Sequence, residues 1–331
     1  MTDLYEPKLV TVFGGGGFVG TQVVQQIARL GHRVRVAVRR PNLVGHVKTL
    51  GNVGQVQPIQ ANIRNLASVQ RAVAGADIVI NLVGVGFNRG AQTFDAVNDE
   101  GAGNVAQAAK AGGVRSLVHV SALGVDSAAE VSAYAASKLA GEAAVFAAFP
   151  DAVILRPSLL FGQDDGYFNL MGALSRLFPI MPLIGGASRF QPIYVGDVAE
   201  AVALAAQGKV KTGRIYELGG PDVETHKAIL ERVQRETQRN RFLLPLSPGI
   251  AKLMALPFAI LPFPPLLTAD QVELLSVDNV VSEAAIRDKR TIAAFGITPT
   301  SMDTILPTYM WRFRKHGQFD RQAAPEQKPA A

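Results

Sequence analysis

Short apolar runs alternate with stretches of helical periodicity along the first half of the chain. Residues 9–13, 34–38, 56–60, 78–83, 116–120 and 153–155 have strand length and β-rich composition. Between them, residues 18–30, 66–74, 98–111 and 132–149 place apolar side chains at helical spacing. Strands that alternate with helices are parallel, because a parallel neighbour is reached only through a crossover. The runs are apolar at almost every position, as strands must be when both faces of their sheet are covered. The pattern predicts a doubly wound α/β fold. After Pro157 the alternation loosens. Residues 166–178 and 196–206 read as helices, 214–218 as one more strand, and 224–239 as a polar helix. Residues 1–160 are therefore expected to form a parallel-sheet domain. Residues 161–320 form a smaller mixed, mainly helical C-terminal lobe that contributes back to it. Residues 321–331, rich in Pro, Ala and Gln, are expected to be a disordered tail. Residues 243–267 are apolar enough to raise a membrane question. Pro257, Pro262, Pro264 and Pro265 are expected to prevent a continuous helix there, and Lys252 interrupts the run, so no span is expected. No internal repeat is present.

The first strand runs into Phe13-Gly-Gly-Gly-Gly-Phe-Val-Gly20, which opens the first helix. Read as Gly14-x-x-Gly17-x-x-Gly20, this spacing lets the chain turn tightly and bring its backbone up to a pyrophosphate. The phosphates then meet the free N–H groups and positive end of the helix. Strand, glycine loop, helix and second strand arrive in order, which is the Rossmann arrangement. An Asp or Glu at the end of the second strand holds a ribose 2′-hydroxyl; a 2′-phosphate needs positive charge instead. Here Val36-Ala-Val-Arg39-Arg40 closes that strand with no acid nearby. A guanidinium can grip a phosphate through two hydrogen bonds. The cofactor expected is NADPH.

Ser121 ends the fifth strand, and Tyr134 and Lys138 follow one helical turn apart on one face. An ammonium near a phenol stabilises phenolate, so such a Tyr can exchange a proton with a carbonyl while Ser121 polarises the same oxygen. The same side chains could equally hold a nicotinamide ribose without turnover.

Twelve of the 33 Lys and Arg but only six of the 27 Asp and Glu lie in residues 1–125, so the excess of +6 sits in the nucleotide half. No basic run with interleaved aromatics occurs there, and nucleic acid is not an expected partner. The chain has no cysteine, which excludes disulfides, thiolate metal sites and a cysteine nucleophile and fits a reducing compartment. No metal site is expected. The N-terminal residues carry neither a secretory h-region nor a transit-peptide composition, which favours a bacterial cytoplasm.

Gly14-x-x-Gly17-x-x-Gly20, Asn98-x-x-Gly101, Ser121, Tyr134-x-x-x-Lys138, Leu155-Arg-Pro157 and Gln191-Pro-Ile-Tyr-Val-Gly-Asp197 together resemble the extended or atypical short-chain dehydrogenase/reductase superfamily. The match covers about residues 8–220. The resemblance implies a dinucleotide held by Gly14, Gly16, Gly17, Phe18, Val19 and Gly20, by Arg39 and Arg40, and by Leu82, Val83 and Gly84. Ser121, Tyr134, Lys138 and Pro157 would complete its surroundings. The family's adenine contact after the third strand is an Asp followed by a hydrophobic residue; here it is Asn62-Ile63, a departure that weakens it.

Further on, residues 290–300 (RTIAAFGITPT), 306–314 (LPTYMWRFR) and 316–320 (HGQFD) resemble the nucleotide-binding accessory subunits of respiratory complex I, in bacterial form. That resemblance implies a structural NADPH remote from the electron path, with Ser121, Tyr134 and Lys138 vestigial. It also implies partners among the other subunits of the complex. The chain would lie peripherally on the cytoplasmic face of the inner membrane, near the quinone site, with contact to the membrane surface. Tyr309, Trp311 and Phe313, alternating with Arg312, Arg314 and Lys315, are the residue types that anchor interfaces. They could instead pack on their own domain. A free-standing NADPH-dependent reductase or epimerase using Ser121, Tyr134 and Lys138 is the alternative function. A redox sensor is a third, without a supporting motif.

Overall fold

The computed structural model describes residues 6–260 and 265–316. The first half builds β1 (Leu9–Phe13), α1 (Phe18–Arg29), β2 (Arg33–Val38), β3 (Val56–Gln60), α2 (Leu66–Val73) and β4 (Ile78–Asn81). Then follow α3 (Glu100–Ala111), β5 (Ser116–Val120), the short α4 (Val125–Ala128), α5 (Ala133–Ala148) and β6 (Val153–Pro157). The second half contributes β7 (Leu160–Phe161), α6 (Tyr167–Leu177), β8 (Ile180–Ile184), β9 (Arg189–Phe190), β10 (Ile193–Tyr194), α7 (Val195–Ala206) and β11 (Arg214–Leu218). It ends with β12 (Glu224–Thr225), α8 (His226–Thr237), β13 (Phe242–Leu246), α9 (Pro248–Ile260), α10 (Ala269–Leu274), α11 (Glu283–Arg287) and α12 (Met302–Met310).

Seven strands form one parallel sheet in the order β11-β6-β5-β4-β1-β2-β3. The doubly wound reading is borne out. Strand order reverses between β1 and β4, and that crevice at the carboxyl ends is where such sheets place a ligand. One face is covered by α1 and α7, whose Val23, Val24, Ile27, Val198 and Val202 are fully buried. The other is covered by α2, α3 and α5 through Val69, Val73, Val105 and Val145. Each such side chain stabilises the fold by roughly 1.5–3 kcal/mol. Side-chain caps start five of the described helices: Asn65 accepts from Ser68 N, Ser132 from Ala135 N, Thr225 from Ala228 N, Thr268 from Gln271 N and Ser282 from Ala285 N.

Beyond the sheet, α6, α8 and α12 enclose a separate core of Phe161, Phe168, Ile229, Val233, Leu306 and Met310. The expected strand 78–83 stops at Asn81, whose side-chain oxygen accepts from Val83 N and turns the chain. The expected helix 224–239 loses its first two residues to β12, which pairs antiparallel with β9. It also stops at Thr237, followed by Gln238 at φ +53°.

Two corrections concern the C-terminal half. Pro257 does not end a helix: α9 continues through it, at an exposed position near the helix's end. The carbonyl this proline leaves unpaired is that of Leu253, a residue 67% exposed and so open to water. Pro262 and Pro264 lie outside the described residues, as does the tail 321–331. No helix among the described residues is long and apolar enough to cross a membrane. The aromatic residues expected to anchor an interface are instead mostly core. Tyr309 is buried and donates to Asp165 Oδ2 at 2.6 Å, and the Phe313 ring fills the space left by the missing side chain of Gly172. Only Trp311 is half-exposed. The large exposed apolar surface lies elsewhere. α9 turns Ala251 and Ala255 inward and Ile250, Leu253, Met254 and Leu256 outward, the reverse of a solvent-facing helix. Phe242 and its register partner Ile180 are exposed as well.

Candidate nucleotide site

β1 ends in a left-handed turn at Gly14, φ +78°, whose N–H donates to Ala37 O at 3.1 Å. A side chain here would also press on Val83 and the Leu82 carbonyl carbon, at 3.2 and 3.3 Å. Gly20 is required by packing: a Cβ would lie 2.2 Å from Gly14 O, so only glycine lets α1 approach β1 this closely. Gly16 lies beneath Val44, which leaves a Cβ only 2.5 Å of room. Gly17 is different. It is exposed, extended at φ −89° and ψ −177°, and a Cβ would meet only Gly14 O at 3.5 Å. It stands at the N-cap of α1, yet no side chain caps that helix and its first turn holds no acid. The amides of Phe18, Val19 and Gly20 therefore open the helix toward an anion with no protein carboxylate competing.

Arg39 and Arg40 follow β2 at exposed positions, and among the described residues neither makes an ion pair. Leu82, Val83 and Gly84 follow β4 directly, so they lie across the switch point from Gly14. Asn62 and Ile63 are committed to the fold. The Asn62 oxygen accepts from Arg64 N, and the buried Ile63 side chain packs where Gly101 lacks one.

Ser121, Tyr134 and Lys138 all sit at the carboxyl end of β5 and the start of α5. Ser121 is buried with its N–H on Leu155 O, and its hydroxyl oxygen has no partner in the described structure. An unsatisfied buried hydroxyl calls for an explanation, and a ligand supplies one. Lys138 Nζ donates to Val120 O at 2.9 Å, and burial brings its amine down to about 8. Asn98, in a one-turn π segment before α3, exchanges hydrogen bonds with Val85 and donates to Ser137 Oγ, fixing the loop after β4 to α5. Pro157 closes β6 beside Leu218 and accepts from Leu123 N.

Two further groups, Asp270 and Asn279, carry no local signature, and a third, Arg156, has a role that its motif did not show. Asp270, from α10, accepts from Ser132 Oγ at 2.9 Å and from Tyr134 N at 3.3 Å. Burial, and then this carboxylate, push the Tyr134 phenol up to about 12. Asn279 donates to Leu123 O and accepts from Ser158 Oγ. Arg156 makes a buried pair with Glu142, and a second with Asp126, tying α5 and α4 to β6. Asp270 and Asn279 lie more than 120 positions along the chain from what they hold.

Residues 10–219 match the profile described as the NAD dependent epimerase/dehydratase family. The chain is 35% identical over 291 residues to "NADH dehydrogenase (ubiquinone) 1 alpha subcomplex subunit 9, mitochondrial" of Arabidopsis thaliana, covering 84% of this chain and 72% of that one. It is 29% identical over 318 residues to the "NADH-ubiquinone oxidoreductase 40 kDa subunit, mitochondrial" of Neurospora crassa, covering 96% and 83%. Among solved structures, the NADPH-dependent quinone oxidoreductase QOR2 of Escherichia coli, complexed with NADPH, superposes with a TM-score of 0.68. The identity there is 16%, over 91% of this chain and 98% of that one, so the likeness is of fold.

Proposed function

Because the chain belongs to the NAD dependent epimerase/dehydratase family and the Arabidopsis and Neurospora relatives are subunits of respiratory NADH:ubiquinone oxidoreductase, we propose that it is an accessory subunit of that complex, in bacterial form, holding NADPH structurally. Gly14, Gly16, Gly17 and the amides of Phe18, Val19 and Gly20 would cradle the pyrophosphate. Arg39 and Arg40 would meet the 2′-phosphate, and Leu82, Val83, Gly84 and Pro157 would line the rest. Ser121, Tyr134 and Lys138 would hold the nicotinamide end. When bound, that group supplies a hydride. The subunit would sit peripherally on the cytoplasmic face of the inner membrane near the quinone site, with α9 and β13 meeting its neighbours and the membrane surface.

The observation that carries a holding role over turnover is the likeness to complex subunits over 84% and 96% of this chain, and the setting of Tyr134 agrees with it. A general acid works best with a pKa near the working pH, and this phenol is driven the other way by burial and Asp270.

The test is to purify the protein from its native membranes and release its ligand by denaturation. NADP(H) recovered in near-equal amount to protein, together with co-purification with membrane NADH:quinone oxidoreductase, is the expected result. NAD(H) or no nucleotide would overturn the cofactor. A soluble protein that oxidises NADPH, and stops doing so on Tyr134→Phe, would establish the reductase reading instead.

A further inference from the structure

The loop that carries Ser121 and the turn that carries Tyr134 are bordered by a segment contributed from more than a hundred residues away. α10 opens with a capping box, Thr268 and Gln271 exchanging side-chain and backbone hydrogen bonds, so its first turn is well fixed. From that turn Asp270 receives Ser132 Oγ and Tyr134 N. Ser132 is the N-cap of α5, so the carboxylate stands at the positive end of that helix, where a negative charge is favourable. Leu274 packs against the small cluster of Val125, Ala128 and Ala135, which joins α4 to α5. Asn279 then takes Leu123 O and Ser158 Oγ with its side chain. Its backbone N–H donates to Arg189 O, and its carbonyl accepts from Gln191 N.

We infer that residues 268–279 are a strap that locks the Ser121 loop and the Tyr134 turn in place, with Asp270 and Asn279 as its two pins. The inference rests on the nucleotide reading only for its purpose, not for its geometry. Four hydrogen bonds from two side chains tie this segment to residues 123–158, each within two residues of a group assigned to the nucleotide site. Asp270 is thus a positioning residue: it touches Tyr134 through the backbone and its charge. α9 is joined to the same strap, through the Lys252–Glu273 ion pair and the core of Ile184, Ala251 and Val272. Whatever α9 meets is therefore connected mechanically to the reactive end of the site.

Hydrogen–deuterium exchange on the full-length chain, without nucleotide, tests the pins directly. Asp270→Ala should raise exchange at residues 132–138 by about tenfold or more, and Asn279→Ala should do so at 121–125. Residues 14–20 should be unchanged in both. Asp270→Glu should restore protection, which a general loss of folding would not allow. Asp270→Asn, which preserves shape, should fall between. Unchanged exchange at 121–138 in both alanine variants would overturn the strap. Adding NADPH to the unsubstituted chain should slow exchange at 268–279; bound nucleotide that leaves this segment untouched would overturn the link to the site. If NADPH does not bind at all, the proposed function fails while the nucleotide-free exchange still decides the strap.

Discussion

Replacing Gly17 with Asp separates what the fold needs from what the nucleotide needs. The other loop glycines cannot serve, because Gly14 has a positive φ and Gly16 and Gly20 have no room for a side chain. Gly17 has both an ordinary φ of −89° and open space. It is also the N-cap of a helix without a side-chain cap, where Asp is among the preferred residues and gains a few tenths of a kcal/mol over glycine. Loss of glycine's freedom in the unfolded chain adds about 0.4–1 kcal/mol in the same direction. The unliganded variant should therefore unfold at the same temperature or slightly higher. Ligand binding should behave oppositely. NADPH at a hundred times its Kd stabilises the native chain by about 2.7 kcal/mol. The new carboxylate takes the same amides as the pyrophosphate, and like charges about 4 Å apart cost on the order of 4 kcal/mol at an effective dielectric of 20. That exceeds the ligand's contribution. Thermal unfolding with and without NADPH reads both effects: the unsubstituted protein should gain several degrees and Gly17→Asp close to none. A variant that keeps the full NADPH-induced gain would show that phosphate does not sit at this helix end. A marked loss of unliganded stability would show that the loop's geometry has been misjudged.

Arg39→Ala should weaken NADPH by roughly 1.5–3 kcal/mol, the worth of a charged hydrogen bond, and NADH far less; equal losses in a titration of both would sink its assignment to the 2′-phosphate. Lys138 gives up its proton at about 8 in the folded chain against 10.5 when unfolded, so the unfolded state binds more protons between those values and stability should rise with pH through that window. The ceiling is about 3 kcal/mol. Urea unfolding at about pH 7.5 and 9.5, below the range of Tyr134, should show this rise and its absence in Lys138→Met. Glu142→Ala strands the buried Arg156 guanidinium and should cost about 3–5 kcal/mol by urea unfolding; a cost under about 1 kcal/mol would mean that Asp126 alone satisfies it.

The parallel sheet was legible because burial on both faces leaves strands such as Ile78–Asn81 and Val153–Pro157 without a polar phase to confuse with a helix. The glycine loop was legible because steric demand at Gly14 and Gly20 admits one residue type. The β8–β13 pair was not. Its strands carry Pro182 and Pro245, are separated in sequence by everything from β9 to α8, and pair through a contact that no local pattern announces. The tail was ambiguous for a physical reason. Alternating aromatic and basic residues suit an interface and an amphipathic core face equally, and the choice is made by distant partners: Gly172, which admits Phe313, and Asp165, which receives Tyr309. Asp270 was invisible in the same way, since an acid 136 positions from Tyr134 has no local signature.

With the tail removed from consideration, the docking surface must be sought where apolar area remains uncovered. α9 is the place. A helix held to its own domain by Ala251 and Ala255, with Ile250, Leu253, Met254 and Leu256 turned away, leaves its largest side chains unburied. Covering each would contribute roughly 1.5–3 kcal/mol, so the four together supply enough for a stable contact even after the cost of association. The substitution that tests this is Leu253→Gln with Met254→Gln. Both residues are more than half exposed in the isolated chain, at 67% and 51%, so folding and NADPH content should hardly change; surface substitutions of this kind stay within about 0.5 kcal/mol. Co-purification with the membrane complex should fall sharply, because polar amides replace the apolar centre of the face. The opposite pairing of results would be equally informative. A double variant that still assembles but has lost its nucleotide would mean that α9 acts through α10 and Asp270 on the site, and that the contact with the complex lies on another face.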